Sequence, residues 1–244
     1  MGTFLQVIGA VALIAIILVV GTVIYVVHKV KKGFRELKKE LQTHATPEQI
    51  HLVMAEDADD FYWKDEQTVT TMAEPLPGLG FTHLGDFAIP ELPHVHLKAF
   101  YNSSQSAFAV LYEFLHKDKP LHSYDIVSRY EDGEAVKAVT YSSSAMSGLM
   151  DKPEGFISVK MAGASAENLF KAFLERRPQG RLLAVSPDVF VERFEQAYAH
   201  EMEWRKNKGG TSKEEIARVA AATNKTVSDE QIDLAQHILK ERGE

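Results

Sequence analysis

Two histidines in the middle of the chain, His94 and His96, are the first residues whose spacing could do chemistry. On a β-strand, positions i and i+2 face the same way, so both imidazoles could ligate one metal ion. A third ligand would be needed, and Glu113 or His116 on the following strand could supply it. The alternative is that both histidines lie on the surface face of an edge strand. The spacing therefore raises a metal site as a hypothesis.

Glu113 is the second candidate, because it interrupts an otherwise apolar run. A carboxylate in such a position either finds a partner or has a raised pKa. A hydrolase would use Glu113 and His116 as catalytic groups, with or without a metal. We favour the structural interpretation, in which this face of the strand is solvated or the carboxylate pairs with Arg129 or Lys98.

No familiar catalytic motif supports an enzyme. Residues 200–204 approach the zinc-protease pattern HExxH, but Trp204 replaces the second histidine and cannot bind a metal. The serines of 142–148 do not form a Gly-x-Ser-x-Gly elbow, and neither phosphate-binding glycine motif occurs. The chain has no cysteine, which excludes disulfides and thiolate chemistry. We therefore predict no cofactor and favour a non-enzymatic protein.

The strands that would position these residues are predicted from runs of apolar and alternating residues. Four of them cover residues 81–89, 94–101, 106–116 and 156–161. Gly85 breaks the first run. The run over 106–116 is almost continuously apolar, as is typical of a central strand buried on both faces.

A β-hairpin is predicted over residues 123–142. Asp132-Gly133 lies between two alternating runs and favours a two-residue type I′ turn, which would pair Glu131 with Glu134. The face opposite the core would carry Asp125. The predicted core face carries Tyr124, Ile126, Tyr130, Ala135, Val139 and Tyr141.

Helices are predicted after the strands. Caps and apolar stripes place one helix after Ser165 and a longer one after Ser186-Pro187. Two shorter helices, over 213–222 and 229–242, begin with capping boxes. An antiparallel meander followed by helices predicts an α+β domain, with helices over one face of the sheet and a C-terminal helical pair.

The N-terminal part differs from the rest in hydropathy and charge. Residues 4–27 carry no charge, and a helix of about 36 Å can cross a hydrocarbon core of about 30 Å. Residues 1–40 have a net charge of +4 and the remainder −11. Because basic flanks stay cytoplasmic, we predict a single-pass anchor with its N-terminus outside and a cytoplasmic C-terminal domain. The acidic remainder argues against nucleic-acid binding.

The stretch behind this anchor is basic and has an apolar seam. Apolar residues at spacings of three and four favour either a short coiled coil, which would self-associate or bind a partner helix, or a plain amphipathic helix. The contact candidates in this seam are Phe34, Leu37 and Leu41. The candidates for lipid head groups are Lys29, Lys31, Lys32, Arg35, Lys38 and Lys39.

A short helix is predicted from Thr46-Pro47-Glu48 through Met54. The aromatic triplet Phe61, Tyr62 and Trp63 follows an acidic stretch. It marks either the point where the domain begins to pack or a contact patch for a protein partner.

Together these features predict five regions: an anchor over 1–27, a basic stalk over 28–45, a helical linker over 46–78, an α+β domain over 79–208 and a helical pair over 209–244. The predicted function is a membrane-anchored binding, scaffolding or accessory subunit of a membrane-associated assembly. The alternative is a membrane-bound hydrolase that uses the His94, His96, Glu113 and His116 cluster.

Overall fold

A mixed β-sheet is the centre of the fold in the computed structural model, which describes residues 47–58, 61–116, 119–132, 135–178, 180–222 and 226–241. Strands β1 to β7 are neighbours in chain order, and β8 pairs with β5. Their bounds are β1 Val53–Met54, β2 Thr82–Ala88, β3 Val95–Asn102, β4 Ala107–His116, β5 Lys119–Asp132, β6 Ala135–Ser142, β7 Phe156–Lys160 and β8 Arg181–Leu182.

The predicted anchor, the basic stalk and the contact residues assigned to them all lie outside the described residues. Within the part of the chain that the structure describes, no helix is both long enough and apolar enough to cross a membrane.

The four strands predicted outside the hairpin are confirmed, but the last one runs the other way. β7 pairs with β6 in parallel, so the expectation of a purely antiparallel meander is wrong. A parallel neighbour needs a connection of about a dozen residues, and the segment 143–155 provides it. This segment is a loop, and it returns the chain to the other end of β6.

The predicted hairpin is present in a different register. Asp132 pairs with Ala135, and Glu131 pairs with Val136 rather than with Glu134. A shift of two residues keeps every side chain on its face of the sheet, so the alternation of apolar residues could not reveal it. The predicted core face is confirmed by five of its side chains, which are buried: Tyr124, Ile126, Tyr130, Val139 and Tyr141.

Helices cover both faces of the sheet, so the prediction of helices over one face is wrong. Leu169 and Phe173 of α3 (Ala166–Arg176) pack with Leu111 of β4 on one face, which we call the packed face. On the opposite face, Phe190 of α4 (Phe190–Asn207) packs against Phe87 and Phe108. Both faces of the central strands are apolar, and each therefore needs a cover. The bounds are α1 Glu66–Ala73, α2 Pro75–Gly78, α3 Ala166–Arg176, α4 Phe190–Asn207, α5 Lys213–Ala222 and α6 Asp229–Glu241.

The helix predicted to start at Thr46-Pro47-Glu48 is wrong for the described residues 47–54. This segment is extended and ends in β1, where Val53 pairs with Ala88. Ile50 is buried, and the backbone N–H of Leu52 donates to Glu195 of α4 at 2.8 Å. Contacts with distant parts of the chain therefore override the local signals for a helix start.

Both C-terminal capping boxes are confirmed. The Ser212 hydroxyl accepts from the Glu215 N–H at 3.2 Å, and the Glu215 carboxylate accepts from the Ser212 N–H at 2.7 Å. Ser228 and Gln231 make the same reciprocal pair at the start of α6. The side chain of Arg218 donates to the Leu149 carbonyl at 2.8 Å, so α5 is attached to the domain itself.

Candidate ligand-binding cleft

Glu113 is fully buried on the packed face, and it holds the start of α1 in place. Its carboxylate accepts from the backbone N–H groups of Lys64 at 2.8 Å and Asp65 at 2.9 Å. His122 Nε2 lies 3.2 Å from the same carboxylate, within hydrogen-bond distance. The partners proposed from the sequence, Arg129 and Lys98, are wrong, and so is a solvated face. The environment of Glu113 is that of a structural anchor.

His96 lies directly opposite Glu113, as expected for the predicted cluster, but it does not reach hydrogen-bond distance. Its Nδ1 is 3.7 Å from the carboxylate and has no hydrogen-bond partner in the part of the chain that the structure describes. Burial lowers the pKa of His96, and the nearby Glu113 charge opposes that shift. His94 precedes β3, and its carbonyl accepts from the Leu115 N–H at 2.8 Å. The side chain of His116 lies outside the described parts of the structure.

The hypothesis of a metal site finds no set of ligands among the described residues. His96, Glu113 and His122 are neighbours, yet no three His, Asp or Glu side chains in the described ranges are arranged to hold a metal ion.

Phe61 and Trp63 mark the point where the domain begins to pack, one of the two interpretations of the aromatic triplet. Both rings lie against His96, with centroids 4.7 Å and 5.8 Å away. Tyr62 between them is 61% exposed. Trp63 Nε1 donates to Asp86 at 3.0 Å.

Asp86 is the true partner of Lys98. The ammonium group lies 2.6 Å and 2.8 Å from the two carboxylate oxygens. Burial alone would raise the pKa of Asp86, but hydrogen bonds from His83, Lys98 and Trp63 lower it to about 2. The buried and half-buried charges of the packed face are thus compensated.

The face of the sheet under α4 is different, because it contains a cleft of about 870 Å³. The floor is formed by β4 to β7, the roof by α4, and one wall by the loop 143–155. The lining is mostly apolar. Its phenylalanine and tyrosine side chains are Phe108, Tyr112, Phe114, Phe156, Phe190, Phe194 and Tyr198.

The helix α4 is held above the sheet from the segment 47–52 on one side. The Tyr198 hydroxyl donates to the Pro47 carbonyl at 2.9 Å, and Glu195 accepts from the Leu52 N–H. Near its C-terminal end, Lys206 lies 2.7 Å from Glu48. These contacts fix α4 while leaving space beneath its middle.

On the other side, α4 is joined to the loop wall and to α5. Lys152 of the loop lies 2.6 Å from Glu201, and the Arg205 guanidinium donates to the Asp151 carbonyl at 3.1 Å. Glu215 accepts from the Asp151 N–H at 2.8 Å and pairs with Arg205 at 3.2 Å. Burial opposes ionisation of Glu215, but hydrogen bonds from the backbone of Ser212 and Asp151 and from Lys208 lower its pKa to about 2.

Asp125 lies on the floor of the cleft without full compensation. Its Oδ1 is shielded from solvent and has no hydrogen-bond partner among the described residues. Burial raises the pKa of Asp125 to about 6, and the Ser142 hydroxyl and the Lys152 charge offset only part of that shift. Burial, reinforced by the Asp125 charge, raises the pKa of neighbouring Tyr112. A buried acceptor of this kind favours a donor from outside the chain.

Two arginines also line the cleft. Arg129 is half-buried on β5, and Arg193 is exposed on α4. Burial lowers the pKa of Arg129, and the like charge of Arg193 adds to the shift.

The cleft residues were not among the site candidates taken from the sequence. The hairpin pattern did place Asp125, Val127 and Arg129 together on the face opposite the predicted core. That pattern was the available signal in the sequence for the floor of the cleft. The face forms a cleft only because α4 lies at a distance from the sheet. The helix-surface residues of the failed HExxH pattern, His200 and Glu201, also line it.

No protein-family model, curated protein or solved structure matches the chain.

Proposed function

We propose that this chain is a membrane-tethered binding protein whose α+β domain holds an amphipathic small molecule in the cleft under α4. The observation that carries the proposal is the cleft itself. Its volume is within the range of small-molecule sites, roughly 300 to 1,000 Å³, and its lining is mostly apolar and aromatic.

Polar groups on the floor of the cleft support a specific occupant. The unpartnered Oδ1 of Asp125 is an acceptor at the floor, and Ser123, Ser142 and Ser158 add hydroxyl groups around it. An apolar cavity with a small number of convergent polar groups is the usual design of a ligand site. The uncharged run of residues 4–27 supports the tether.

Photolabelling of the full chain in lipid nanodiscs tests this proposal. The probe is a dodecyl chain that carries a diazirine, and peptide mass spectrometry locates the labelled residues. We expect label on the cleft lining, including α4 and β5. Label confined to residues 1–45, or to the outside of α3, would contradict the proposal.

Matched variants separate the cleft from general surface binding. Val127→Trp fills the cleft from its floor, and Ala197→Trp fills it from the roof. Leu174→Trp adds the same ring to an exposed position on the packed side, where Leu174 is 40% exposed. The first two variants should lose the cleft label and the third should keep it; equal labelling of all three would count against a binding cleft.

A further inference from the structure

We infer that the ligand of the cleft is an anionic amphipath whose negatively charged group lies between Arg129 and Arg193. This inference rests on the proposed function, since it names the chemical class of the molecule that the same cleft would hold. The geometry points to it, because the two cations face one space from opposite walls: Arg129 from the floor and Arg193 from the roof.

Arg129 is a half-buried cation for which the described residues supply no acidic partner. Within the described ranges, no carboxylate forms an ion pair with it, although Glu131 on the same strand pairs with Arg181. Half-burial lowers the pKa of the Arg129 guanidinium. A guanidinium that is taken out of water in this way gains most from an anion with two acceptor oxygens, such as a carboxylate or a phosphate.

Arg193 strengthens the same preference. Among the described residues its side-chain hydrogen bond is with Gln196, at 3.5 Å, and no carboxylate there forms an ion pair with it. Two like charges that share one space repel each other, and an anion between them removes the repulsion. Glu154 also lines the cleft, and it forms no ion pair with either arginine in the described structure.

The charge at the other end of the cleft gives the ligand an orientation. Asp125 and Arg129 are four residues apart on β5, which corresponds to about 13 Å along the strand. The anionic group must therefore lie at the arginine end, away from the carboxylate. The apolar chain then passes Phe108 and Phe194, and any hydrogen-bond donor on the molecule would meet Asp125.

Three photoactivatable probes with the same dodecyl chain test the inference on the full chain in nanodiscs: a carboxylate, an alcohol and an amine. The carboxylate should label the cleft at the lowest concentration. Arg129→Gln should raise the carboxylate concentration needed for half-maximal labelling by about tenfold, as loss of one charge-assisted contact does. Arg193→Gln, at an exposed position where the fold is not at risk, should act in the same direction.

The control is Lys171→Gln, which removes a cation from α3 on the packed side of the sheet, where the side chain is 73% exposed. It should leave the labelling unchanged. If all three probes label the cleft equally, or if the two cleft arginines can be replaced without effect, the head-group assignment is wrong while the binding cleft stands. If none of the probes labels the cleft, the proposed function fails with it.

Discussion

The two faces of the sheet treat a buried carboxylate in opposite ways. On the packed face, Glu113 is fully buried and accepts two hydrogen bonds from backbone N–H groups, with His122 also within hydrogen-bond distance. On the face under α4, Asp125 keeps one oxygen shielded from solvent and without a hydrogen-bond partner among the described residues. The two residues lie on adjacent strands, so the difference comes from what covers each face.

This difference distinguishes a carboxylate with a structural role from one that can bind a ligand. A satisfied buried charge fixes the conformation of the chain, and its loss costs stability. An unsatisfied buried carboxylate lowers stability as long as no ligand group bonds to it. Such a residue is expected where it serves a purpose other than stability, such as binding. The sequence pattern singles out Glu113 as a candidate, but its hydrogen bonds indicate a structural role. Asp125 is the better candidate for a ligand contact.

The largest effect is expected from Glu113→Gln. In the variant, the amide NH2 group faces the backbone N–H of Lys64 or of Asp65, which then loses its acceptor. The free energy of unfolding should therefore fall by roughly 3 to 5 kcal/mol. Chemical denaturation followed by Trp63 fluorescence measures it. Glu56→Gln, at an exposed position, should change stability by less than about 0.5 kcal/mol. A loss below about 1 kcal/mol for Glu113→Gln would contradict the anchor role.

Neighbouring positions on β5 give the next comparison. Ile126 is buried in the packed face, so Ile126→Ala should cost about 2 to 5 kcal/mol. Val127 faces the cleft, where α4 leaves space, and Val127→Ala should cost about 1 kcal/mol or less. The denaturation midpoints of the two variants measure the two losses of stability. Equal losses would mean that both faces are packed alike.

The pH dependence of Asp125 gives a third test. Its folded-state pKa of about 6 lies above the unfolded value, so the folded state prefers the proton, and stability falls as pH rises from about 4 to about 6. Asp125→Asn removes this dependence. Relative to the wild type, the variant should be more stable by on the order of 2 to 3 kcal/mol at pH 7 and equal near pH 4.

Denaturation of both proteins across this range measures the difference. Groups with lowered pKa values, such as Asp86 and Glu215, make stability change with pH in the opposite direction. They do so equally in both proteins, so their contributions cancel from the difference. A constant difference between the two curves would show that Asp125 is already compensated.

The smallest effect concerns the supports of α4. Tyr198→Phe removes the hydrogen bond to the Pro47 carbonyl and should cost about 1 kcal/mol. Trp204, on the same helix, reports the loss by fluorescence. Tyr62→Phe, on an exposed ring, should change nothing measurable. Equal stability of the two variants would mean that the hydrogen bond between Tyr198 and Pro47 does not stabilise the position of α4.

Local patterns in the sequence were sufficient for most of the strands and the later helices but not for their surroundings. The alternation of Tyr124 and Ile126 predicted a buried face, and Ser212 and Ser228 predicted the helix starts, because both depend on residues a few positions away. The partners of Glu113 lie about fifty positions earlier, at Lys64 and Asp65. The unpartnered state of Asp125 depends on how far α4 stands from the sheet, which no local pattern contains.

Two errors have the same origin. Residues 47–54 carry the signals of a helix start but pair with β2 and support α4 instead. The parallel direction of β7 follows from the path of the loop 143–155, which is fixed by contacts of Asp151 with α4 and α5. Long-range contacts decided both, and they form only once the domain has folded.

Hydrogen exchange of the full chain in nanodiscs, with and without dodecanoate, tests the central claim most directly. It compares the amides of α4 over the cleft with those of α3 over the packed face. We predict slower exchange in α4 and in β5 near Arg129 when dodecanoate is present, with α3 unchanged. Unchanged exchange in α4, or equal slowing in both helices, would contradict a ligand site confined to this cleft.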